Sequence, residues 1–552
     1  MATVTAPGKD TGVLVIGGGP VGLSLGIELA RLGVATTLVE ARDGRITTPK
    51  MNFVNVRSME FVRRWGLTDE VRRAGHPEDF HPNVNWATAV TGHEIARLDF
   101  PPFLEEKTRF VSPAADCLVS QLWFDPILLA HARKQSNLTL HHRTRLEAFR
   151  ETEDGIEAQV VDLVANTKRT ITAAYIVGCD GASSPVRESL GIGLDGLPSI
   201  QNNFHVFFNS TELLSIFDRT LGQTRFCSLV GPKGIWGLLT SINWRGLWRF
   251  SMQPPPQDES IVPELLRRAV GCDFAFELLD GSHWVSRELV ANAYGKGRAF
   301  LAGDAAHQNT PSGGFGMNTG VGDALDLAWK LWGTLAGWGG PALLQSYEAE
   351  RRPIAKRNTR EATSNLLRFR DLKPGSEIAA EGEAGARDRA AFKQKLFDAD
   401  ILRHHDTDGI ALGYRYENSP IVSSDGSARP ADMAQEYVPI ARPGHRAPHA
   451  WLEGGPPPSV GVRLAQGRST LDLFGDGFAL LAFGGAETEP LQSAARSRGV
   501  PLRVTKIDDA EIAQLYGARL VVVRPDGHVG WRGDAVPDDA AAAVIDRLRG
   551  AA

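Results

Sequence analysis

One run near the start of the chain constrains its fold more than any other feature. Val13-Leu14-Val15-Ile16 is continuously apolar, and Gly17-Gly18-Gly19-Pro20-Val21-Gly22 follows at once. Leu23 to Leu32 then carries apolar residues at helical spacing until Gly33. An apolar run without polar alternation suits a central parallel strand buried on both faces. Ala35 to Val39 reads as a second strand ending at Glu40, which completes a βαβ unit of about thirty residues.

Each glycine of that turn has its own task. Gly17 permits the tight bend, Gly19 lets a pyrophosphate approach the backbone, and Gly22 allows close packing of helix on sheet. The helix start offers unpaired N–H groups and a positive dipole to phosphates. Glu40 can accept hydrogen bonds from a ribose hydroxyl. Gly17, Gly19, Pro20, Gly22 and Glu40 are therefore cofactor-binding candidates. Glycine-rich turns are common, and this one gains its meaning from the strand before it, the helix after it and the acid that follows. The motif alone does not separate NAD from FAD.

Composition narrows the class. The chain has 552 residues, and about 150 residues per domain suggests three or four domains. A formal charge of −5 argues against a nucleic-acid partner, which calls for a strongly basic domain. Charged residues at 23% and hydrophobic residues at 42% exclude a mainly disordered or fibrous chain. The cysteines at 117, 179, 227 and 272 form no CxxC pair and no disulfide framework, which points to a reducing cytoplasm. The N-terminus carries no secretory signal pattern. The most weakly polar stretch, Leu331 to Leu344, is short of a membrane span and is broken by Gly339, Gly340 and Pro341.

Further along, Gln121 to Gln135 reads as a helix and Ala174-Tyr175-Ile176-Val177 as another buried strand ending at Asp180-Gly181. Phe204 to Phe208, Gly234 to Ile242 and Gly246 to Met252 look like antiparallel strands. Ala299 to Ala302 returns to the parallel-strand signature, and a long helix is expected from Asn318 to Gly337. The stretch 370–450 is the least organised: a helix from Ser376 to Leu402, then a polar connector. Beyond Gly444 a compact α/β pattern appears, with strands at Phe478–Phe483, Leu502–Thr505, Arg519–Val523 and Val529–Trp531. That part contains no cysteine, so thiol–disulfide chemistry there is excluded.

Two segments carry a resemblance. Gly178-Cys179-Asp180-Gly181-Ala182-Ser183-Ser184-Pro185-Val186-Arg187 resembles the "DG" motif of the single-component flavoprotein aromatic hydroxylases. Gly297 to His307, with Gly303-Asp304 at its centre, resembles their "GD" motif and continues through Pro311-Ser312-Gly313-Gly314-Phe315-Gly316-Met317-Asn318. Pro49-Lys50 followed by Val54 to Glu60 is similar to the chlorophenol monooxygenase and antibiotic-tailoring relatives of the phenol hydroxylase branch. The resemblance implies an α/β protein. A Rossmann-like FAD-binding domain (1–75, 110–190 and 290–370) would hold an inserted antiparallel-sheet substrate domain (76–109 and 191–289). A helical connector (371–439) and a thioredoxin-like domain without CxxC (440–552) would follow.

The same resemblance implies the chemistry. FAD is reduced by NADPH or NADH, which binds transiently on a surface groove. Reduced FAD meets O2, and a flavin C4a-hydroperoxide hydroxylates a phenolic or hydroxy-heteroaromatic ring. Oxygen insertion into a C–C bond or an alkene of a polyketide or terpenoid is the alternative on the same fold. Arg42 and Gln121 match positions on the adenosine side of FAD, and Lys50 matches a phosphate contact; a solvated surface Arg42 is equally compatible. Asp180 either contacts cofactor or organises its own turn.

Asp304, at the end of a parallel strand, would hold the ribityl chain. Pro311, Gly314, Gly316, Met317 and Asn318 would form the turn and helix start against the flavin ring, where a helix dipole stabilises the anionic reduced form. His307 reads as structural. Phe207, Trp236 and Pro311 are substrate-lining candidates, although any one aromatic of the sheet is as easily core. His205 and Arg249 are the catalytic candidates, able to polarise or deprotonate a phenol. The phenol hydroxylases carry an acid where this chain reads Met51-Asn52-Phe53. No metal site is expected. The C-terminal domain is expected to pack on the core or to support a homodimer contact.

Overall fold

Thr11–Ile16 forms a strand buried at every residue. It pairs in parallel with Thr36–Glu40 on one side and with the end of Thr167–Gly178 on the other. Helix Pro20–Arg31 connects the first pair. Ala299–Leu301 joins Thr167–Gly178, and Leu138–His142 joins Thr36–Glu40, both in parallel. The register sets Ile16 beside Gly178 and Gly178 beside Leu301. The carboxyl ends of these strands therefore open on one edge, where open α/β sheets bind ligands. The computed structural model describes residues 3–48, 50–102, 111–453 and 467–552. Pro49 and part of the expected boundary near residue 110 lie outside the described residues.

A second sheet of eight strands runs, in spatial order, through His307–Gln308, Glu277–Ala291, Leu194–Asn209, Leu247–Met252, Gly234–Ser241, Phe226–Gly231, Val84–Ala87 and Glu94–Leu98. All neighbours are antiparallel except Phe226–Gly231 with Val84–Ala87. Side chains alternate between its faces. Phe204, Val206, Phe208, Trp248, Phe250 and Met252 form a core with the helices Glu212–Arg219 and Val262–Val270. The chain passes directly from one sheet to the other: it leaves the first at Leu301, turns at Gly303–Ala305 and joins the edge of the second at His307–Gln308.

The long helix begins at Phe315, three residues earlier than the sequence suggests, because Gly314 adopts a left-handed conformation (φ 68°) at its N-cap. It packs between Pro20–Arg31 and the 29-residue helix Ala342–Arg370. The expected helix from Ser376 starts later, at Gly382. Asp388 accepts the Glu377 N–H and Arg389 donates to the Ile378 and Ala380 carbonyls, so side chains of the helix hold the preceding residues in a turn. This stretch is more than a connector: Ile378, Phe392, Leu396 and Ile401 are buried against Val84, Trp86 and Leu98 of the second sheet.

The C-terminal sheet has the order Leu502–Ile507, Phe478–Phe483, Leu520–Val523, Val529–Gly533, with the first pair parallel and the others antiparallel. It shares apolar core with the first domain. Phe478 meets Trp329 edge-on at 5.8 Å, and Trp338 packs against both. Among the described residues no helix is long and apolar enough to cross a membrane.

Close backbone contact holds the two glycine-rich segments together. A Cβ on Gly320 would stand 2.6 Å from Val21 Cγ2 and 2.9 Å from Gly303 Cα. Gly320→Ala is expected to lower stability by about 1–3 kcal/mol through overpacking, read by denaturant unfolding.

Candidate active site

The first glycine turn has the geometry its sequence suggests. A Cβ on Gly17 (φ 107°) would stand 2.3 Å from the Cys179 carbonyl oxygen, and one on Gly22 would stand 1.9 Å from that of Gly17. No atom lies within 4 Å of a Cβ on Gly19, so its surface is open to a ligand. Pro20 occupies the start of a helix that has no side-chain cap, which leaves its leading N–H groups for an anion. Glu40 also organises the turn: Oε2 accepts the Gly18 N–H at 2.6 Å and Oε1 the Arg42 N–H at 2.7 Å. The Arg42 side chain is exposed.

Gln121 is buried and held within the protein. Its Oε1 accepts the Lys50 N–H (3.1 Å), and its Nε2 donates to Asp125 (2.9 Å). Burial pushes the Asp125 carboxyl up to about 7. Arg57 is held inside the protein as well. It is buried, donates to Glu60 (2.6 Å) and reaches the Asp526 carbonyl of the C-terminal domain (2.7 Å).

Asp180 accepts the Val186 N–H through Oδ2 (3.0 Å), whereas its buried Oδ1 has no hydrogen-bond partner. It organises its turn and keeps one oxygen free. Asp304 lies in a crevice: its side chain is reached by solvent, yet surrounding protein raises its carboxyl above the usual range against the attraction of His307 and Lys50. That attraction places Lys50 within electrostatic reach of Asp304. The turn is pinned from beneath. Asp323 Oδ2 accepts the Gly303 N–H (3.2 Å) and is hydrogen-bonded to His307 Nε2 (2.8 Å), while its Oδ1 accepts from Arg351 Nε (2.8 Å). A Cβ on Gly303 would stand 2.9 Å from Val21, so the aspartate-led turn rests directly on the first glycine turn's helix.

Beyond it, Gly313 and Gly314 both take positive φ (87° and 68°). The helix they introduce again lacks a side-chain cap. The Asn318 side chain is fully used on the backbone: it donates to the Gly314 and Phe53 carbonyls and accepts the Asn55 N–H. What this helix start offers a ligand is main-chain N–H. The nearest atom to a Cβ on Gly316 is 3.8 Å away; Pro311 is exposed and Met317 half-buried.

His205, Phe207 and Arg249 share the sheet face opposite the aromatic core, with His205 paired to Ser251 and Phe207 to Arg249 in register. Thr48 and Phe53 lie against this sheet, since Thr48 bonds Asp280 and the Arg225 guanidinium lies 4.8 Å from the Phe53 ring centroid. Burial, reinforced by Arg249, pushes His205 down to about 3. Burial alone lowers Arg249 to about 10, and its Nε has no hydrogen-bond partner. Thr240 Oγ1, Thr310 Oγ1 and Asn309 Nδ2 are likewise buried without one. Trp236 stands with the helix-covered layer: its ring lies 5.8 Å from Phe250 and 4.6 Å from the Arg268 guanidinium.

Sequence reasoning missed Asp323 and Arg351. A carboxylate inside the apolar run Val321 to Leu327 was the available signal, because a buried charge requires a partner.

Comparison with known proteins agrees with this geometry. Residues 10–362 match the FAD binding domain family model, and residues 441–552 match that of the aromatic-ring hydroxylase C-terminal domain. The FAD-dependent monooxygenase apdD of Emericella nidulans is 33% identical, covering 95% of this chain and 88% of that protein. Aklavinone 12-hydroxylase RdmE of Streptomyces purpurascens is 33% identical over 98% of both chains. The solved structure of RebC, soaked with chromopyrrolic acid and with 7-carboxy-K252c bound, superposes with a TM-score of 0.90 at 40% identity, covering 98% of this chain and 99% of that one. The chain therefore belongs to the FAD-binding aromatic-ring hydroxylases and is a flavoprotein monooxygenase with FAD as its cofactor.

Proposed function

We propose that this enzyme uses NAD(P)H and O2 to place one oxygen atom on a phenolic or hydroxy-heteroaromatic ring bound between the face of the second sheet and the Pro311 turn. The observation that carries the reading is Arg249. Its Nε is buried without a hydrogen-bond partner and no carboxylate pairs with it among the described residues, on the sheet face opposite the aromatic core.

The residues present fit FAD. The open Gly19 surface and the uncapped start of Pro20–Arg31 suit the pyrophosphate, with Lys50 as a phosphate contact; Glu40 and Arg42 would lie on the adenosine side. Asp304 would accept from the ribityl hydroxyls, and the N–H groups that follow Gly314 would face the ring. Bound there, FAD supplies electron transfer from NAD(P)H and the activation of O2.

The protein's own part is orientation and charge. Arg249 favours an ionised ring hydroxyl, because a neighbouring cation stabilises the charged form. The phenolate is the more electron-rich ring. His205 is neutral at neutral pH, since its pKa is about 3. It therefore orients the ring by hydrogen bonding and is too weak a base to take the phenol proton. Phe207 adds apolar surface beside it. All four cysteines are unpaired, the exposed Cys272 included, which supports a reducing cytoplasm.

Three measurements test the reading. A screen of phenols, hydroxypyridines and quinols for stimulated NAD(P)H oxidation is expected to give a product heavier by one oxygen; turnover only of ketones or alkenes without a ring hydroxyl would replace it with the alternative chemistry. Asp304→Ala is expected to raise the FAD dissociation constant at least tenfold in a fluorescence titration; unchanged affinity removes Asp304 from the ribityl chain. Arg249→Ala is expected to lower kcat/KM by about ten- to a hundredfold at constant flavin content, the range for a hydrogen bond to a charged group. The effect of His205→Ala is smaller. Equal turnover in both variants would take them out of the pocket.

A further inference from the structure

One turn of the C-terminal domain carries buried charge into the first domain. Arg524, Asp526 and His528 lie between the strands Leu520–Val523 and Val529–Gly533. Arg524 donates to Glu350 through both terminal nitrogens (2.7 and 2.8 Å), to Asp326 (3.1 Å) and to Asp526 (2.5 Å). Lys330 Nζ joins the same acids, 2.7 Å from Asp326 and 2.6 Å from Glu350. Every member is buried. The carboxylates of Asp326, Glu350 and Asp526 converge closely enough for a metal ion, but Lys330 and Arg524 already supply the positive charge. Burial holds the Asp326 carboxyl well above its usual range; burial would raise Glu350 too, but Arg524 and Lys330 outweigh it and hold it low.

A second layer lies beside the first on the same two helices. Glu350 is followed by Arg351, and Asp326 lies one turn after Asp323. Arg351 donates to Asp323 (2.8 Å), the Tyr416 hydroxyl (3.0 Å) and the Thr319 carbonyl (3.0 Å). The Tyr416 ring lies 5.0 Å from the Arg524 guanidinium and 4.3 Å from the His528 ring. Asp323 ends the chain of contacts on Gly303 N–H and His307, on either side of Asp304.

We propose that Arg524 is a positioning residue for the flavin site, and that the C-terminal domain, which has no thiol, serves the reaction by setting the turn that carries Asp304. Without the guanidinium, Glu350 and Asp326 share Lys330 alone, and Asp526 loses its guanidinium partner, in a site closed to water. Uncompensated buried charge is relieved by protonation or by movement. The helices that would move also carry Asp323 and Arg351. The proposal rests on the reading of the Asp304 turn as the FAD site.

The test uses the full chain. Arg524→Met is expected to raise the FAD dissociation constant at least tenfold, to shift the visible band of bound FAD, and to raise H2O2 released per NAD(P)H consumed. Arg524→Lys is expected to recover part of each. Combined with Asp323→Asn, its effect on FAD affinity is expected to be less than additive, because both act through one network. A lowered melting temperature with wild-type FAD affinity and spectrum would overturn the proposal. Tyr416→Phe leaves every charge in place and removes only the hydroxyl on Arg351. If Arg524→Met does not fold, a few-fold weaker FAD affinity in Tyr416→Phe supports the route, and wild-type affinity overturns it. Asp304→Ala separates the two readings: wild-type affinity there overturns the FAD-site reading. Loss there with wild-type affinity in Arg524→Met and Tyr416→Phe overturns the coupling alone.

Discussion

Two backbones can touch only where no side chain stands between them, and the structure depends on that contact at three places. Gly17 meets the strand end at Cys179, Gly22 meets Gly17, and Gly320 meets Gly303. A methyl group at any of them would fall within 3 Å of another residue's backbone. These contacts align the ends of Thr11–Ile16, Thr167–Gly178 and Ala299–Leu301, and they place two uncapped helix starts around one crevice. The polar character of that crevice comes from exposed backbone N–H groups and the solvent-reached carboxylate of Asp304.

The second sheet divides labour by parity. Successive residues point to opposite faces, so Phe204, Phe208, Trp248 and Phe250 build the core while His205, Phe207 and Arg249 remain on the other face. Among the described residues no acid pairs with Arg249, and the loss of hydration at its buried Nε is not compensated by an ion pair. Such an arrangement costs stability and persists where it serves a ligand.

Much of the first domain was legible because its sequence signals are local. The glycine turn, the apolar strands and the Asp304 segment each carry their geometry in a few consecutive residues. The long helix was readable except at its start, which depends on the positive φ of Gly314. Side-chain orientation was less legible. Trp236 turned to the covered layer, and Asn318 spent its amide on Gly314, Phe53 and Asn55, because both depend on neighbours distant in sequence. The stretch after residue 370 looked like a connector for the same reason: its apolar residues are sparse, and their partners Val84 and Trp86 lie nearly 300 residues earlier. Charge pairs across the chain, such as Glu60 with Arg446 or Glu350 with Arg524, leave no periodic trace at all.

The Trp329, Trp338 and Phe478 cluster has a practical consequence. It makes the seam between the two annexed units an interior, so the C-terminal part is not a detachable module. Recombining halves of related enzymes at the linker would split one oily wall between two parents, and workable crossover points in such chimeras must keep both sides of that wall from the same ancestor.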